Sequence, residues 1–132
     1  MATSFDVLDR LYQLINHSSV AAVIDGGVWR RKKPQDRRVK DVVIHILTID
    51  EGDDLNSGTA VINMYAPMLS AGMHDEASLE AMLDAVKARL DDYSASDGSW
   101  FTTRIESETL IQDVDDPHLS YLSLRVNYHI DR

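Results

Sequence analysis

Apolar residues recur at helical spacing in two places along the chain. Between Ser4 and about Ser18, Phe5, Leu8, Leu11 and Ile15 form one stripe, with Val7 and Leu14 beside it. This predicts an amphipathic helix with Thr3 or Ser4 as N-cap, stopping near His17-Ser18-Ser19. After Asp75, the residues Leu79, Met82, Leu83, Val86, Leu90 and Tyr93 fall on a second stripe. Acids in its first turn and Lys87 and Arg89 near its end suit the helix dipole.

Elsewhere the pattern is that of strands and turns. Val20–Ile24 is a short apolar stretch closed by the turn signal Asp25-Gly26-Gly27. Val28-Trp29 leads into a basic segment in which Pro34 prevents a continuous helix. Val39 to Ile49 holds seven β-branched residues in eleven and is apolar on both faces, which predicts a strand at the centre of a sheet. A polar loop, Asp50–Gly58, separates it from the alternating strand Thr59–Tyr65, making a hairpin-like pair with a long tip. Trp100–Val114 reads as a long strand, turned back by Asp115-Asp116-Pro117-His118. In the last strand, Leu119–Ile130, Leu122, Leu124, Val126, Tyr128 and Ile130 face inward and Ser123, Arg125, Asn127 and His129 outward. The order α, short β, β, β, α, β, β predicts one α+β domain over residues 1–132. Its sheet is mostly antiparallel, of about four to five strands, with two helices on one face. Residues 30–38 form a projecting basic arm and 50–58 a projecting loop.

Composition sharpens this outline by exclusion. The 132 residues fit one domain with a core of its own. With no cysteine in the chain, a disulfide framework, a thiolate nucleophile and thiolate-bound zinc are excluded, and a cytosolic setting fits. No apolar run nears the roughly 18 to 20 residues of a membrane span, and Met1–Asp6 lacks the features of a signal peptide. The expectation is a soluble, intracellular protein with no membrane partner.

Charge changes the picture more. The net charge is −9, yet residues 30–40 hold seven of the 13 bases and one of the 22 acids. That segment carries +6 against −15 for everything else. An acidic body with one basic arm is dipolar, and such patterns serve contact between molecules.

Candidate chemistry is sparse. His17, His45, His74, His118 and His129 show no metal-ligand spacing. The acid pairs Asp53-Asp54, Asp91-Asp92 and Asp115-Asp116 lack the register of a calcium loop and read as loop solvation. Asp25-Gly26-Gly27 lacks the lysine and the following helix of a phosphate cradle. No catalytic residue, metal ligand or cofactor site is expected. The arm, with Arg30, Arg31, Lys32, Lys33, Arg37 and Arg38, leaves three readings open. It is a contact to a neighbouring subunit through the acidic body, a nucleic-acid-binding module over Arg30–Lys40, or a solvated loop. Trp29 reads as the core anchor at its base.

Taken in order, the N-terminal helix, Asp25-Gly26-Gly27-Val28-Trp29, the arm with its proline, Lys40-Asp41-Val42-Val43-Ile44-His45-Ile46-Leu47 and Ser57-Gly58-Thr59-Ala60-Val61-Ile62-Asn63-Met64-Tyr65-Ala66-Pro67 resemble a known family. It is that of the small tail-completion, or head–tail joining, proteins of tailed bacteriophages and prophages, in the form found in Bacteroides-type genomes. The resemblance covers nearly the whole chain. It implies a tail-terminator-like fold and a structural, non-enzymatic role in virion assembly. Such proteins form rings, commonly hexamers, at the tail end facing the head, where DNA passes. By position, the resemblance makes the 30–38 arm and the 50–58 tip, with Asp53 and Asp54, contacts to other subunits or to tail and neck proteins. It implies a location in the host cytoplasm during assembly and in the virion tail or neck afterwards. This chain departs from the family in how basic its arm is.

Overall fold

A computed structural model describes residues 3–35, 37–51, 55–95 and 100–131. The first helix, α1 (Ser4–Ile15), begins at the Thr3 N-cap with a capping box: Thr3 Oγ1 accepts the Asp6 N–H while Asp6 accepts the Thr3 N–H. Its buried face is Val7, Leu8, Leu11, Leu14 and Ile15. The stripe is therefore rotated from the expected one, and Phe5 stands 63% exposed. Val7, Leu11 and Leu14 share a line at i, i+4 and i+7, which suits the packed face better than one led by Phe5.

The stretch expected at Val20–Ile24 starts in a one-turn helix, α2 (Ser18–Ala21), capped by the His17 ring and burying Val20. Then come β1 (Val28–Arg30), β2 (Asp41–Glu51) and β3 (Leu55–Pro67). The helix α3 (Glu76–Leu90) follows, then β4 (Tyr93–Ser94), β5 (Phe101–Gln112) and β6 (Leu119–Asp131). Asp75 caps α3 by accepting the Ser78 N–H, and Leu79, Met82, Val86 and Leu90 fill its buried face.

The sheet has six strands in the order β1-β2-β3-β6-β5-β4, larger than expected. It is also mixed: β1 runs parallel to β2, while every other pairing is antiparallel. β2 lies one strand from the edge, and β3 and β6 hold the centre. Three helices, counting α2, take the place of two. One sheet face, with Val42, Ile44, Ala60, Ile62, Met64, Leu124, Val126, Tyr128 and Ile130, packs with the helices into a single core. The strands also run further into the 50–58 tip than expected. Glu51 pairs with Asn56 and Asp50 with Ser57, and residues 52–54 lie outside the described ones.

One glycine there is fixed by close approach. A Cβ on Gly58 would stand 2.0 Å from the Thr48 carbonyl oxygen, to which the Tyr128 hydroxyl donates beside the bulge at Ile46/Thr48. Burial, followed by the charge of Asp50, pushes the Tyr128 hydroxyl up to about 12.

Candidate assembly interface

The arm leaves the sheet after β1 and returns at β2, and its two ends are tied by one carboxylate. Asp41 is fully buried. Its Oδ1 accepts the Gly27 N–H and the Trp29 Nε1–H, each at 2.8 Å. The Arg37 guanidinium supplies charge from the arm at 3.4 Å. A buried charge survives in a fold only when paired and hydrogen-bonded, and Asp41 is both. Beside it, Asp25 accepts the Lys40 N–H at 2.7 Å and the Gly26 N–H donates to the Lys40 carbonyl at 2.9 Å. A Cβ on Gly26 would lie 2.0 Å from Asp41 Oδ1, so only glycine permits this approach.

Trp29 thus anchors the arm through its indole N–H, half-buried, with Arg37 stacked 5.2 Å over its ring. Asp41 is the residue that sequence reasoning missed. The available signal was an acid at the head of an apolar strand, where an unpaired charge is not tolerated.

The outer arm folds back on the body. Arg30 pairs with Asp9 of α1 and stacks 4.4 Å over Tyr12. Arg31 sits at φ 68°, where the chain turns out of β1 and the Lys32 N–H donates to the Arg30 carbonyl. Its guanidinium covers the exposed Phe5 ring at 4.6 Å. Lys33 lies 5.1 Å over the Tyr65 ring, and Arg38 pairs with Asp116 at 3.1 Å. Lys32 is exposed. The structure therefore brings Arg30, Arg31, Lys33, Arg37 and Arg38 onto the body, not out into solvent as a free arm. Asp53 and Asp54 lie outside the described residues.

Between the arm and the β5–β6 turn, over the sheet face the helices leave bare, lies a cleft of about 850 Å³. Arg31, Lys32, Lys33 and Arg38 form one wall, and Asp113, Asp115 and Asp116 the other. Val43, His45 and Tyr65 make its floor. The arm lies beside Val43, which is 2% exposed, whereas Leu47 further along β2 stands 51% exposed. Burial lowers the pKa of His45, and it pushes the Tyr65 hydroxyl up to about 12, with the charge of Asp113 adding to it. The His118 N–H, then Arg38, hold the Asp116 carboxyl below the usual carboxylate range. His118 itself is exposed in the turn.

Among the described residues no group of three or more His, Asp or Glu side chains is placed to hold a metal ion. No helix among them is long and apolar enough to cross a membrane. What the arrangement offers chemically is a surface of separated charge, rigid at its base, suited to a partner with the opposite pattern.

No family model and no curated protein matches this chain. Among solved structures it is similar to a chain of the virion of a native gene transfer agent (GTA) particle, with a TM-score of 0.70 and 15% identity. The match covers 92% of this chain and 92% of that chain. At that identity the likeness is one of fold.

Proposed function

We propose that this chain is a structural component of a phage-like virion, acting at the tail or head–tail junction through protein–protein contacts and without catalysis. The observation that carries the reading is the fold shared with a chain of the GTA virion over 92% of both molecules. The resemblance of its motifs to tail-completion proteins points the same way. Copies of the chain assemble with one another into a ring, with a hexamer as the expected size, and the ring contacts other tail or neck proteins. Its place is the host cytoplasm during assembly and the virion afterwards.

Charge supports self-association as the mode. A ring needs a head-to-tail interface with two unlike patches, and a +6 segment on a −15 body supplies them. The nucleic-acid reading has less support because the domain that carries the arm is acidic, with a net charge of −9, where a nucleic-acid binder is basic overall.

Light scattering after size exclusion tests the reading, run at high protein concentration in low and moderate salt, with negative-stain imaging of any large species. Rings whose population falls as salt rises are expected, because exposed pairs are screened over about 8 Å at physiological ionic strength. A monomer under every condition, or rings indifferent to salt, would count against it.

A further inference from the structure

The two edges of the sheet are open and unlike. At one edge stands β1, with no strand beyond it among the described residues. At the other, β4 covers only Thr102 and Thr103 of β5, so the outer side of β5 from Arg104 to Gln112 has no strand partner among the described residues. A bulge at Ile105/Ser107 interrupts the first part of that edge, the usual protection against unwanted pairing. The regular stretch 107–112 has no such interruption.

Their chemistry is complementary. Residues 30–33 are four bases with no acid, and residues 107–115 hold three acids with no base. Each edge also bears exposed apolar surface: Phe5 beside the basic one, Leu110 (40% exposed) and Val114 (93% exposed) along the acidic one.

The ladders place these features at one level. Arg30 stands opposite Ile44, Ile44 opposite Ile62, Ile62 opposite Leu124, and Leu124 opposite Glu108. Both end residues are on the helix-bearing face. Arg30 lies against α1 through Asp9, and Glu108 pairs with Lys87 of α3 at 3.1 Å. Each of the two side chains remains 45% exposed. By the same path Val28 is level with Leu110. Three antiparallel steps separate β2 from β5, so β5 runs antiparallel to β1. A second copy set beside the first in the same orientation therefore presents its β1 antiparallel to β5.

We propose that successive copies of this chain join edge to edge, the 107–112 stretch of β5 in one copy lying against β1 and the Arg30–Lys33 stretch of the next. Glu108 of one copy meets Arg30 of its neighbour, and Leu110 meets Val28. Backbone pairing gives the contact its direction, and the unlike charges exclude β5 meeting a second β5. The interface is heterologous and repeats from copy to copy. This inference rests on the assembly reading above and specifies its contact.

A chain with no cysteine makes the test clean. Within one copy, Arg30 and Glu108 are four strand spacings apart, roughly 19 Å, well beyond the Cα separation of about 7 Å that a disulfide tolerates. Arg30→Cys with Glu108→Cys, mildly oxidised, should give a ladder of covalent dimers, trimers and higher species on a non-reducing gel. Each single variant should give at most a trace of dimer. Val28→Cys with Leu110→Cys repeats the test at the second level, should the first pair disturb α1. Double variants that cross-link no further than the singles, at both levels, would overturn the edge pairing. So would Glu108→Cys alone dimerising as readily as the double variant. If wild-type rings form but no ladder appears, the edge contact is wrong and the assembly reading stands. If neither appears, both fall.

Discussion

The base of the arm and its outer part hold the same kinds of residues and differ in what those residues do. At the base, Asp41 is fully buried and joins Gly27, Trp29 and Arg37 in one cluster. Further out, Arg30–Asp9 and Arg38–Asp116 are pairs at or near the surface. Taking one member from a buried cluster strands its partners without water, whereas an exposed pair is replaced by solvent almost at no cost. The charge run that dominates the sequence therefore contributes little to the fold, and one acid at its border contributes much. Under the assembly reading, the outer arm can exchange these weak contacts for contacts with another molecule at little cost to the fold.

That comparison makes a graded set of predictions. Asp41→Ala should produce the largest loss, about 3 kcal/mol, because it leaves two N–H donors and the Arg37 charge without their acceptor; urea unfolding would measure it. Gly26→Ala should follow at about 2 kcal/mol, since its Cβ cannot coexist with the Asp41 carboxylate. Trp29→Phe keeps the ring and loses the indole donor, for about 1 kcal/mol. Arg38→Ala should lower the unfolding free energy by less than about 0.5 kcal/mol. A loss from Arg38→Ala as large as that from Asp41→Ala would erase the distinction between base and outer arm.

The smallest effect is one of pH. The folded pKa of Asp116 is depressed, by the His118 N–H first and Arg38 second. Its contribution is therefore present above the unfolded carboxylate value and lost as pH falls through the folded one. Asp116→Asn should flatten only the acid end of a melting-temperature profile. At the alkaline end, the raised pKa of Tyr128 makes stability fall as pH climbs from 10 towards about 12, and Tyr128→Phe should remove part of that fall.

Much of this molecule is written in local periodicity. The α3 stripe from Leu79 to Leu90 and the alternation of β6 from Leu124 to Ile130 match what the structure buries. The misreadings share a cause, which is that the deciding partner is set by tertiary packing and not by the local pattern. Phe5 completes a helical stripe on paper yet sits outside the core under Arg31. Val43 looks like a residue of a central strand because the arm, the segment that leads into β2, folds back beside it near the sheet edge. Three-residue β1 is parallel to β2, and nothing in Val28-Trp29-Arg30 itself announces that. Of the candidate site, the run of bases and the place of Trp29 beside it can be read from charge and position, and their role in contact is a proposal. Asp41 at the head of an apolar strand signals that a partner is needed, but not that an indole and a guanidinium supply it.

In the proposed assembly, the exposed basic edge joins copies of the chain. The most direct test is sedimentation velocity of the wild type against Arg31→Glu with Lys32→Glu, in low salt and at equal concentration. These two exposed residues are chosen because Arg37 belongs to the buried base. A large species is expected in the wild type and not in the double variant, with unfolding free energies within about 0.5 kcal/mol of each other. Identical sedimentation of the two proteins, whether assembled or monomeric, would contradict it.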